Sequence, residues 1–78
     1  MKLEYYGGNG YCGVPEKGIF RVKTSLSLAN RMFTELSAAR KYYDNLNIEK
    51  SLWDLTRIPE LLECHTEAQA ITSDELPL

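Results

Sequence analysis

Seventy-eight residues, with 44% apolar and 26% charged side chains and a net charge of −2, describe a single folded domain and not a disordered chain. A chain of this size buries only about 60% of the surface that its unfolded form exposes, which implies modest stability and little room for a deep catalytic pocket. No apolar run approaches the roughly 18 residues of a membrane span and no basic-then-apolar leader opens the sequence, so a cytoplasmic protein without a membrane partner is expected.

In chain order, Leu3 and Tyr5 alternate with Lys2 and Glu4 and predict a short strand over Lys2–Tyr6. Gly7–Gly13, GGNGYCG, then reads as a loop that continues through Val14–Gly18. From about Gly18 the pattern has period two. Phe20, Val22, Leu26 and Leu28 fall on one side, with Arg21, Lys23, Ser25 and Ser27 on the other. Residues 25–34 admit two readings. A helix capped by Ser25 would place Ala29, Met32, Phe33 and Leu36 in register with the stripe that follows. Alternatively Leu28-Ala29-Asn30 turns the chain and Arg31-Met32-Phe33 returns as a strand, which the alternation through Leu28 favours.

The block Phe33–Cys64 supplies most of the core. Leu36, Ala39, Tyr43 and Leu46 recur at helical spacing behind a Thr34 N-cap, while Ser37, Arg40, Lys41 and Asp44 form the wet side. Arg40 stands four residues before Asp44, which sets up a weak ion pair. Ser51–Thr56 reads as a strand with Trp53 and Leu55 on one face and Leu52 on the other, and Trp53 is read as a core anchor. After Arg57-Ile58-Pro59-Glu60 comes either a strand, Leu61–Thr66, or a helix, Glu60–Ala70, with Pro59 at its start. Thr72–Leu78 has little to bury and reads as a mobile tail beyond a domain of residues 1–71. The expected fold is α+β: a small antiparallel sheet packed against one principal amphipathic helix.

Few motifs point to chemistry. Gly8-Asn9-Gly10-Tyr11-Cys12-Gly13 fits G-x-G-x-x-G, but Pro15 and Gly18 follow where a dinucleotide site needs a helix. Cys12, Cys64 and His65 offer three zinc ligands without the close pairing of zinc sites, and two free thiols are expected. Cys64 and His65 would point to opposite faces of a strand, which argues against a nucleophile and its base. Glu60 and Glu63 have no spacing that marks a carboxylate pair. No metal, cofactor or catalytic residue is therefore predicted, and the chain is not expected to be an enzyme.

Two surface features remain. All nine Lys and Arg lie at or before Arg57 among six acids, a net +3, whereas the five later charges are all acidic, a net −5. Tyr6 and Tyr11 flank the glycine loop, a composition suited to adaptable contact surfaces. Together they suggest a protein-binding or regulatory module. Tyr6 and Tyr11 would supply short-range contacts, and Glu67, Asp74 and Glu75 would steer a partner with a basic surface. Size and charge would suit an inhibitor carried by a phage or mobile element that occludes a nucleic-acid-binding protein. The alternative is a nucleic-acid-binding accessory protein that uses Arg21, Lys23 and Arg31 on a basic strand face.

Overall fold

The computed structural model of the chain describes residues 3–67. Among these residues are five strands, β1 (Leu3–Tyr5), β2 (Lys17–Thr24), β3 (Arg31–Glu35), β4 (Lys50–Asp54) and β5 (Glu60–Glu67), and one α-helix, α1 (Leu36–Asp44). The strands form one sheet in the order β1-β5-β4-β2-β3, and every neighbouring pair is antiparallel. This is the small α+β architecture that the sequence predicts. Both ambiguous stretches resolve in favour of strands. Residues 25–34 make a hairpin with a 3-10 turn at Ser27–Ala29, and residues 60–67 pair with β4 and β1 instead of coiling behind Pro59.

The helix lies on one face of the sheet. Phe20 and Val22 of β2, Leu52 of β4, and Ala39 and Tyr43 of α1 are all 0% exposed, with Leu62 of β5 and Leu36 of α1 nearly so. Each fully buried large side chain contributes about 1.5–3 kcal/mol, so this cluster dominates the fold's stability. Leu46 lies past the end of the helix but still packs against the same cluster. Leu26 and Leu28 do not join it and are 57% and 89% exposed. The alternation that linked them to Phe20 and Val22 ends at Thr24, where the chain leaves the sheet. There the Asn30 side-chain oxygen accepts the Thr24 N–H at 2.7 Å, and Leu26 N–H bonds back to Thr24 Oγ1 at 3.1 Å.

The helix is also capped differently from the sequence expectation. Thr34 is still within β3, and Glu35 is the N-cap but makes no side-chain cap bond. The orphan donors of the first turn are met by Glu16. Its carbonyl accepts Leu36 N–H at 2.7 Å, and its carboxylate accepts Ser37 N–H at 3.0 Å and the Ser37 hydroxyl at 2.6 Å. At the other end Lys50 Nζ donates to the carbonyls of Tyr43 and Leu46 at 2.8 and 3.0 Å. The expected Arg40–Asp44 ion pair is absent; Arg40 instead lies over the Tyr11 ring, 4.3 Å from its centroid.

The glycine loop runs into strand β2, with no helix behind it. It is zipped to the edge of β5 by Asn9 N–H to Leu61 O and Gly10 N–H to Leu62 O, each 2.9 Å. Gly8, at φ +122°, comes so close that a Cβ there would lie 2.4 Å from Leu62 O, which only glycine permits. Opposite Leu52, β5 holds a bulge: Glu63 pairs with Leu52 while Leu61 pairs with Trp53. The extra residue puts Leu62 and Glu63 on the same face, against the alternation of a regular strand.

These assignments have measurable consequences. Leu36→Ala or Tyr43→Ala should lower unfolding free energy in urea by about 2–4 kcal/mol, and Lys41→Ala by no more than about 0.5 kcal/mol. Equal losses at Leu36 and Lys41 would invert the helix faces. The Ser37 hydrogen bonds hold the Glu16 carboxyl below its ordinary value. Its stabilising contribution is therefore complete above the ordinary glutamate range and fades as pH falls through the lowered folded value. Glu16→Gln should flatten that part of the acid limb in a pH series of thermal melts, and an unchanged limb would remove Glu16 from the capping role.

Candidate functional site

Because side chains alternate along a strand, the neighbours of the buried residues stand on the sheet's second face. Met32, Arg21, Trp53 and Leu61 are successive partners across β3, β2, β4 and β5 and form one row there. Lys23, Ser51 and Cys64 form the next row, and the 2.9 Å bond from Tyr6 N–H to Cys64 O brings Tyr6 to its end. On the other flank Leu55 N–H donates to Ile19 O at 2.8 Å, so Ile19 and Leu55 extend the apolar part. Trp53 Nε1–H donates to Ser51 Oγ at 2.9 Å along the strand, which fixes the indole on this side.

Among the described residues, no other segment covers this face. The helix is on the opposite one, Tyr11 and Val14 of the glycine loop pack on the helix-side core, and the 3-10 turn is tied there by the Tyr42 hydroxyl donating to Ala29 O at 2.6 Å. Ile19 and Met32 stay 45% and 57% exposed. Trp53, Arg21 and Leu61 are half-buried. Trp53 is thus not the core anchor expected from sequence. Leu52 occupies the core, and the next residue of a strand must face away from it.

The helix side ends in a polar cluster. Lys50 and His65 are partners across β4 and β5, and Tyr5 pairs with His65 from β1. The Tyr43 hydroxyl lies 2.8 Å from His65 Nδ1, Glu63 Oε2 lies 3.6 Å from the same nitrogen, and the Tyr11 hydroxyl donates to Glu63 Oε1. Tyr5 meets the His65 ring edge-on at 5.4 Å, and Lys50 Nζ lies 4.5 Å from the centre of the Tyr43 ring. Burial, and then the Glu63 carboxylate, hold both phenols well above the ordinary tyrosine value. Burial also pulls Lys50 down, against the pull of Asp44 and Glu63. Both tyrosines therefore keep their protons, and Tyr11 donates its own to Glu63. Each polar group finds a protein partner, so the cluster closes the end of the core.

The residues singled out from sequence are dispersed. Arg21 and Lys23 share the open face, as expected. Arg31 does not join them: it pairs with Val22 on the helix side, its Nη1 donates to Leu28 O and Asn30 O at 2.9 Å each, and it lies 5.9 Å from the Tyr42 ring centroid. Tyr6 is 48% exposed at the edge of the open face, whereas Tyr11 is turned towards Glu63 beneath Arg40. Glu67 is half-buried opposite Leu3, with its N–H bonded to Glu49 Oε2 at 3.1 Å. Asp74, Glu75 and the expected mobile tail lie outside the described residues.

Both cysteines are free, Cys12 exposed and Cys64 half-buried. Cys64 and His65 stand on opposite faces of β5, and no cluster of three or more metal-ligating side chains occurs among the described residues. A groove of about 610 Å³ separates the glycine loop from the β4–β5 turn, lined by Gly10, Cys12, Pro15, Asp54, Arg57 and Glu60. No helix among the described residues is long and apolar enough to cross a membrane. Comparison of the chain with protein-family models, curated proteins and solved structures finds no match.

Glu63 is the hinge of the polar cluster. Glu63→Ala should destabilise the fold by about 1–3 kcal/mol by leaving the Tyr11 hydroxyl without its acceptor and removing the carboxylate beside His65, and Tyr11→Phe by about 1 kcal/mol. In a double-mutant cycle the combined loss should fall short of the sum. Strict additivity would mean that the Tyr11–Glu63 bond does not contribute.

Proposed function

We infer that the chain is a non-enzymatic protein-binding module that docks its partner on the uncovered sheet face. The observation that carries this reading is the Met32–Arg21–Trp53–Leu61 row, flanked by Ile19 and Leu55. Aromatic, methionine and arginine side chains are the types enriched where protein interfaces bury their centres, and a lone tryptophan on an open surface is a typical binding hot spot. The polar groups of the face give the partner its chemistry. Arg21 and Lys23 are cationic, while the carboxylates of the face among the described residues, Glu4 beside Thr66 and Glu49 opposite Ser25, stand at its edge, the latter already accepting the Glu67 N–H; this favours an apolar segment accompanied by carboxylates.

A partner with a basic surface, steered by the acidic residues late in the chain, suits the described residues less well, because Glu63 is bonded to Tyr11 and Glu67 is half-buried. The nucleic-acid reading has a specific point in its favour, since Trp53 and Tyr6 share a face with Arg21 and Lys23. Against it, the other cations are spread elsewhere: Arg31 on the helix side, Arg40 over Tyr11, Lys50 on the helix end. A phosphate backbone needs a track of cations, and two residues do not make one.

A random peptide library selected on the immobilised protein should enrich apolar sequences containing Asp or Glu. Trp53→Ala should abolish the enrichment while shifting the melting temperature little, and Arg21→Glu should switch the preference towards Lys and Arg. Enrichment indifferent to Trp53 would overturn the reading. So would salt-sensitive quenching of Trp53 fluorescence by single-stranded poly(U) or oligo(dT) at micromolar concentration, which would establish the nucleic-acid function.

A further inference from the structure

We propose that the free edge of β3 pairs antiparallel with β3 of a second copy of this chain, about a two-fold axis at Phe33. β3 is the terminal strand of the sheet among the described residues, and of the other described elements it touches only β2 and α1. Among the described residues no strand lies beside its outer edge, whose row of backbone groups is a template for another strand. Arg31, Met32, Thr34 and Glu35 are all exposed.

The sequence of the strand selects the partner. Around Phe33, Arg-Met-Phe-Thr-Glu is complementary to its own antiparallel copy: Arg31 faces Glu35 of the copy, Met32 faces Thr34, and Phe33 faces itself. The two-fold repeats the Arg31–Glu35 contact, so two opposite-charge pairs form. A shift of the axis to Met32 sets Arg31 opposite Phe33 and Glu35 opposite Ala29. A shift to Thr34 sets Arg31 opposite Ser37 and Phe33 opposite Glu35. Only the Phe33 register pairs the charges, and so it is the one specified.

Charged residues on an edge strand ordinarily prevent pairing. They do so when like charges meet or when a charge meets apolar surface, and neither happens in this register. Arg31 bonds back to the Leu28 and Asn30 carbonyls through Nη1 alone, which leaves its other guanidinium nitrogens for a carboxylate. Glu35 has one competing partner, Lys17 at 3.5 Å, in a solvated pair that yields readily. Five residues bury less than the roughly 1,000 Å² expected of a stable interface, so the dimer is weak and depends on concentration. Its sheet has ten strands, and the open faces of both copies become one surface.

Charge reversal tests the register. Wild-type protein should self-associate in sedimentation velocity as concentration approaches the millimolar range, and the amides of residues 31–35 should exchange more slowly as it does. Arg31→Glu and Glu35→Arg should each weaken association at least about tenfold. The double variant R31E/E35R should recover it. An equimolar mixture of the two single variants should also associate, because each supplies the charge that the other lacks, and this recovery excludes misfolding as the cause of the loss. A wild-type chain that stays monomeric throughout overturns the proposal. Association without rescue in the double variant or the mixture does so too, as does association that Trp53→Ala abolishes, which would put the second copy on the open sheet face.

Discussion

A single short helix has to cover a five-stranded sheet, and most of the structure follows from that mismatch. Nine residues of helix are about 14 Å long, while five strands span about 19 Å. The helix packs on β2, β3 and β4 and leaves the helix-side surface of β5 and β1 to other groups. The glycine loop and the Tyr11–Glu63–His65–Tyr43 cluster occupy that space, with Lys50 reaching across to the end of the helix. Apolar packing gives way to hydrogen bonding where the helix ends.

The same shortage of material explains the second face. With one helix and two short loops, all on one side, nothing remains among the described residues to shield Trp53, Met32 and Ile19. An antiparallel sheet tolerates one solvated face, but such a face is ordinarily polar. Here the rows that cross it hold a tryptophan, a methionine, leucines and an isoleucine beside two cations. That composition resembles an interface more than a solvated surface.

The architecture was legible because its signals are local. The helical spacing of Leu36, Ala39 and Tyr43 and the alternation of Phe20 and Val22 are confirmed by complete or nearly complete burial. The hairpin at Leu28–Asn30 was legible for the same reason. Alternation, however, carries no absolute phase: it shows that Leu52 and Trp53 face apart without showing which of them meets the helix. Leu26 and Leu28 continued an apolar pattern past the point where the backbone left the sheet. Glu63 was unreadable because a bulge changes the phase within the strand, and its position depends on the pairing with Leu52 across the sheet. The capping of the helix by Glu16 was equally hidden, since donor and acceptor are 21 residues apart. Arg31 looked like part of a basic face only while the register of β3 was unknown.

The pairing of β1 with β5 bears on how the chain reaches this state. Leu3 lies opposite Glu67, so the first described strand has no neighbour until the last has been made. During synthesis β2, β3 and α1 can meet early through near neighbours in sequence, whereas β1 and the glycine loop must wait. Contacts between such distant residues slow folding, because closing the long loop costs entropy before any bond repays it. The N-terminal segment therefore remains open to chaperones and proteases for longer than the rest of the chain. The polar cluster built on Tyr11 forms only when that wait is over.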